Sequence, residues 1–388
     1  MRMRLAYLLT LLVGIMCITS MAEARELPEV VWSNMVCGVD NDKEGKENWH
    51  LLTDEGRDRI KAAVHAKLLE QQKAGKLPFK LAEGNWDVDK IDSSTPVGIV
   101  PIVTTNSMFH QEFDIGNKKL HKYVLASALD IAVCSVESDG QTLRMLYNIP
   151  LHFWTSVPEN NRLEDMRLLS REEERDLYAR FTVKMIEQHL DFSKMNKVMR
   201  KLEDKVEAAE ATYQVTNINI SSPKAQEIFT GSDGLGQARI TNLKKIIGDI
   251  YTSAYAQRTG HVVYPSLLSG NWVPDAVKGC NVLRLNTGNA GELRMVVKNP
   301  DQGITLDITG VGRKEAETKK KSNINGFMAY KVWLAKSPKE NEKETEVTNA
   351  IVQEFDRYHG KNLGLSDRDI FRMLLIGAAE KLGSQKLK

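Results

Sequence analysis

Apolar and polar positions along this chain switch between a period near 3.6 and a period of two, and the switches come in the same order twice. Ile60, Ala63, Val64 and Leu68 recur at three- and four-residue steps, which predicts a helix over residues 54–73 that Gly75 ends. A short β-like run over 77–83 then leads to Gly84-Asn85-Trp86. Far downstream, Ile240, Leu243, Ile247, Ile250 and Ala254 predict another helix, Gly260 ends it, and a run over 261–269 leads to Gly270-Asn271-Trp272. A strand is predicted before each helix, over 30–36 in the first instance and over 213–220 in the second, where apolar and polar residues alternate. Self-similarity on this scale reads as a tandem duplication of one module.

Beyond the triplets the order of elements persists. Runs over 97–104 and 282–285 predict further strands. The stretch 124–136, with Leu129-Asp130-Ile131, is matched to 304–311, with Leu306-Asp307-Ile308. Return strands follow over 144–154 and 326–334, the first after an Asp139-Gly140 turn. Ser170 and Glu173 form a capping-box pattern ahead of Leu177, Phe181, Met185 and Ile186, so a helix closes the first copy. Val347, Ile351, Phe355 and Tyr358 predict a closing helix for the second. A last helix, capped by Ser366, runs through Phe371, Leu374, Leu375 and Ala378. The expected fold class is α+β, as two tandem two-layer sandwiches, each a mostly antiparallel sheet with helices on one face. The expected boundaries are module 1 over 25–192, a charged helical connector over 193–211, module 2 over 212–360, and the C-terminal helix over 361–388.

Residues 1–24 read as a cleaved secretory signal, with Arg2 and Arg4, a short apolar stretch, and Ala22-Glu23-Ala24 before the cut. The mature chain is then expected in the periplasm or secreted, near a membrane but not spanning it. Lys and Arg number 53 against 51 Asp and Glu. That balance, with no basic stripe, argues against nucleic acid as a partner. Past the signal three cysteines remain, Cys37, Cys134 and Cys280. An odd count leaves one unpaired, and whether Cys37 and Cys134 join is left open.

The run Tyr123-Val124-Leu125-Ala126-Ser127-Ala128-Leu129-Asp130-Ile131, followed by a hairpin and a helix, resembles the periplasmic modules of curli-secretion-channel (CsgG-type) proteins. Related modules occur in penicillin-binding-protein activators and flagellar assembly proteins. The resemblance covers about half of the first copy and less of the second. The family's channel-forming hairpins and lipid-bearing cysteine have no matching positions here. What the resemblance implies is a non-enzymatic envelope scaffold working through protein contacts.

Candidate chemistry is thin. Asp40-Asn41-Asp42-Lys43-Glu44-Gly45 begins like a calcium loop, but its twelfth position is Leu51 where a bidentate Glu belongs. His110, Glu112 and Asp114 would share one strand face near His121, a metal-triad pattern that solvent-facing strands also produce. Gly231–Gly236 lacks the phosphate-loop lysine, and Ser221-Ser222-Pro223-Lys224 lacks the companion motifs of serine–lysine enzymes. Trp86 and Trp272 are the repeated signature; they either plug the two sandwiches or line a groove for a peptide or glycan. No cofactor or metal is expected. The function read from these residues is a protein-binding scaffold or assembly factor of the cell envelope rather than an enzyme. Its expected partners are other envelope proteins, with homo-oligomerisation left open. The alternatives are an extracytoplasmic hydrolase, or a small-ligand or glycan binder, with a site between the modules.

Overall fold

Where a side-chain cap and an apolar stripe coincide, helices form at the predicted places. α1 (Asp54–Lys73) opens on Thr53, whose hydroxyl accepts from the Gly56 amide. Asp54 and Glu55 in its first turn complement the positive end of the helix dipole. Gly75 ends it in the left-handed conformation, at φ 65°. α2 (Arg171–His189) carries the predicted capping box: the Glu173 amide donates to Ser170 Oγ, and the Ser170 amide donates to the Glu173 carboxylate. Arg167 and Ser170 together hold that carboxylate down to about 2.

This computed structural model describes residues 27, 29–34, 36–39, 51–85, 97–115, 118–136, 142–157, 165–195, 211–231, 236–268, 272–275, 279–286, 292–320, 323–337, 345–356 and 367–385. The signal segment, the calcium-like loop at Asp40–Gly45, Trp86, the Asp139-Gly140 turn and connector residues 196–210 lie outside them.

In the first half the strands are β1 (Glu29–Trp32), β2 (Cys37–Val39), β3 (Lys80–Asn85), β4 (Val97–Ile115), β5 (Lys118–Val136) and β6 (Thr142–Val157). The second half contains β7 (Thr212–Asn219), α3 (Pro223–Thr230), α4 (Gly236–Thr259), β8 (Val262–Val263), β9 (Trp272–Asp275), β10 (Cys280–Asn286), β11 (Glu292–Lys298), β12 (Gln302–Lys320), β13 (Asn323–Lys336), β14 (Thr345–Asp356) and α5 (Asp367–Ser384). The central strands of the two sheets share one order. In the first, β3-β1-β4-β5-β6 has β1 parallel to both its neighbours and β4, β5 and β6 antiparallel. In the second, β8-β7-β12-β13-β14 has β7 parallel to both its neighbours and β12, β13 and β14 antiparallel. Even the irregularities correspond, with a bulge between Val103 and Thr105 of β4 and another between Ile308 and Gly310 of β12.

Several expectations are corrected. Both sheets are mixed: their long ladders are antiparallel, as expected, but β1 and β7 run parallel to their neighbours. Residues 345–356 are a strand, not the closing helix. Val347, Ile351 and Phe355 are four apart, a spacing that satisfies both periods, and β14 pairs with β13 along its whole length. The helix that follows β14, as α2 follows β6, is α5. The element matching also slips: by strand order β4 corresponds to β12, not to 282–285, and β5 to β13, not to 304–311. The cause is β9, β10 and β11, which join the first sheet, where β10 pairs with β2 and β11 runs parallel to β6. Nor is the first sheet covered on one face alone. α1 and α2 cover one side, burying Ile60, Val64, Tyr178 and Ile186 against Leu125, Leu129 and Ile131. α4 lies against the other side while its apolar stripe, Leu243, Ile246, Ile247 and Ile250, fills the second core. Full burial of each of those four contributes about 1.5–3 kcal/mol before entropy is counted.

Candidate functional site: a buried polar seam

β5 shows why one helix can serve two sheets. Its Leu125, Leu129, Ile131 and Val133 face α1 and α2, and Ser127 there bonds the Tyr178 hydroxyl at 3.0 Å. The alternate positions are Ala126, Ala128, Asp130 and Ala132, small but for the aspartate, so a helix can approach closely on that side. α4 presents a polar stripe to it: Asn242, Lys245, Asp249 and Ser253, at three- and four-residue steps.

The contacts run in sequence along the helix. Ser107 Oγ donates to Asn242 Oδ1 at 3.5 Å, and Thr105 Oγ1 donates to Asp249 Oδ2 at 2.5 Å. Ser253 Oγ donates to the Pro150 carbonyl at 3.0 Å. Deeper in the seam, Asn148 Nδ2 donates to Asp130 Oδ1 at 2.5 Å and to the Val263 carbonyl of β8 at 3.4 Å, which ties both sheets to one amide. Asp130, Asn148, Thr105 and Asp249 are all buried.

Burial sets the electrostatics. Desolvation pushes the Asp130 carboxyl up to about 7; the Asp249 charge adds to this, while Asn148 and Thr104 oppose it. Desolvation lowers Lys245 to about 8 against the pull of Asp249, and lowers His152 on β6 to about 3, so that imidazole is neutral. Among the described residues, His152 Nε2 and Thr252 Oγ1 are buried with no hydrogen-bond partner. The seam can hold one proton near neutrality. Asp130 is 4% exposed and Asn148 1%, so no substrate atom reaches them. It is an adhesive between two sheets.

The residues singled out from sequence fall elsewhere. His110 Nε2 lies 2.7 Å from His121 Nδ1, and Glu112 accepts from Lys119, all within the β4–β5 hairpin. The His110 ring also stacks on Tyr123, whose hydroxyl accepts from the Leu169 amide. Asp114 stands in β4, but its side chain is not among those described. No group of three or more His, Cys, Asp or Glu suited to a metal ion occurs among the described residues. Trp272 on β9 is half-buried against the first core and donates through Nε1 to the Ser266 carbonyl at 3.1 Å. Cys37, Cys134 and Cys280 are buried and joined in no disulfide, and burial pushes the Cys37 thiol up to about 12. Ser222 caps α3, with Pro223 in its first turn, so the serine–lysine spacing marks a helix start. The seam itself was missed. Its signal in the sequence was the polar stripe of α4 opposite the apolar one.

Among the described residues, no helix is long and apolar enough to cross a membrane. No protein-family model matches the chain, and no curated protein matches it. Among solved structures, it is similar to a minor lipoprotein from Acinetobacter baumannii, at 10% identity and a TM-score of 0.20, over 46% of this chain and 92% of that one.

Proposed function

We propose that this chain is a non-enzymatic, extracytoplasmic scaffold or assembly factor of the cell envelope, built by duplication of one α+β module. The observation that carries the reading is where its polar side chains go. Thr105, Asp130, Asn148, Asp249 and Ser253 bind the two sheets to each other, and His110, His121, Glu112 and Lys119 bind one hairpin to itself. A hydrolase working between the modules would instead bring polar groups from both halves together around a substrate. The shared strand order supports the duplication, and β9–β11 are then an insertion in the second copy that clamps onto the first. The signal-like residues 1–24 support export.

The test is covalent cross-linking of the tagged chain at its native level in an envelope fraction. One reproducible stoichiometric protein partner is the expected result. Recovery of the chain alone, with no heterologous adduct, overturns the reading.

A further inference from the structure

Cross-strand register in the β4–β5 hairpin puts two imidazoles side by side. His110 faces Tyr123 and Glu112 faces His121, so the two histidines are diagonal neighbours on one side of the sheet. Their rings stand nearly parallel, with planes 17° apart and centroids at 5.0 Å, and His110 Nε2 meets His121 Nδ1 at 2.7 Å. The triad pattern read from the sequence reduces to this pair. Glu112 is held by Lys119 at 2.7 Å, and no third His, Cys, Asp or Glu among the described residues completes a group with the two rings.

Both rings are placed by their surroundings. His121 is 8% exposed, and its amide donates to the Met166 carbonyl at 3.1 Å. His110 is exposed but stacks on Tyr123, with centroids 4.9 Å apart and planes at 19°, and the Leu169 amide holds the Tyr123 hydroxyl at 2.8 Å. One ring is thus anchored while the other gives a path in from solvent.

Two ring nitrogens this close share one hydrogen, the N–H of one ring donating to the lone pair of the other. Burial, and then the neighbouring His121, hold His110 below the usual histidine range, so its ring is neutral near pH 7 and able to ligate. The carboxylates of Glu112 and of Glu174 on α2 oppose that shift, and a cation between the rings would feel the same two charges, with Lys119 offsetting the first.

We infer that His110 Nε2 and His121 Nδ1 form a two-imidazole binding site for a divalent transition-metal ion, copper(II) more tightly than zinc(II). Imidazole nitrogen suits these ions, whereas magnesium and calcium take oxygen ligands. Metal–nitrogen bonds of about 2.0–2.1 Å set two ligating nitrogens about 2.8–3.4 Å apart, for angles from square-planar to tetrahedral. The pair has to open by less than about 0.7 Å, within reach of the exposed His110 ring. On binding, the donor ring carries its proton on its other nitrogen, and water takes the remaining positions around the ion. The site does not depend on the scaffold reading.

Calorimetric titration of the full chain with copper(II), zinc(II) and magnesium chlorides, in a buffer that does not chelate metals, tests it. One copper ion bound saturably per chain, zinc more weakly and magnesium not at all is the expected result. The electron paramagnetic resonance spectrum of the copper-loaded chain should show coupling to two imidazole nitrogens. His110→Gln, a change at an exposed position, should weaken copper binding about tenfold or more and remove one of the couplings, with a melting curve confirming that the variant folds. His121→Gln should remove the other. Absence of saturable copper binding, a spectrum without the two imidazole couplings, or wild-type affinity in a folded His110→Gln overturns the site.

Discussion

The two sheets repeat one strand order but are finished differently. The first is covered on both faces, by α1 and α2 on one side and α4 on the other. The second packs α4 and α5 on one face and turns Lys331 and Glu346 to solvent on the other. There the Trp333 ring lies across Gly310 and Gly312, positions where a Cβ would meet it at 2.9 and 3.2 Å, and Lys331 sits 4.7 Å from its centroid. The difference teaches how two sheets of one strand order are joined into one body. β10 and β11 extend the first sheet with strands from the second half, and α4 gives its apolar stripe to one sheet and its polar stripe to the other.

The largest test of that asymmetry is pH. Asp130 holds its proton to about 7 when folded, whereas an unfolded aspartate releases it near the ordinary value of 3.8. Between these values unfolding releases a proton, so stability falls as pH rises from about 4 to about 7 and is level above. The slope from this group approaches about 1.4 kcal/mol per pH unit, and Asp130→Asn should remove it in denaturant titrations across that range. Next in size is Asp249→Ala, which strips Thr105 of its acceptor and Lys245 of a neighbouring opposite charge. A loss of about 3 kcal/mol by urea unfolding is expected, with hydrogen exchange rising in β4, β6 and α4 together. The smallest is Ser170→Ala. Loss of the capping box should cost about 1 kcal/mol, with exchange rising at the start of α2 and unchanged in the second sheet.

What could be read in the sequence was local. α1 and α2 announce themselves because cap, stripe and stop agree, and β7 because its alternation is clean. Residues 345–356 misled because one spacing fits two periods. The recruitment of β9–β11 into the other half could not be read, since pairing of Arg294 with Thr142 joins residues far apart in sequence, and nothing local encodes that choice. Trp272 was visible as half of a repeated signature, and the structure seats it on the first core. The seam was half legible: Asn242, Lys245, Asp249 and Ser253 form a stripe, but the alanine-lined strand beneath them is known only from the fold.

Calorimetric unfolding of the full chain tests most directly whether this shared helix and its seam join the halves into one unit. A single endotherm is predicted, with equal calorimetric and van't Hoff enthalpies, moving as a whole in Asp249→Ala. Two resolved transitions in the unmodified chain, one for each sheet, would contradict it.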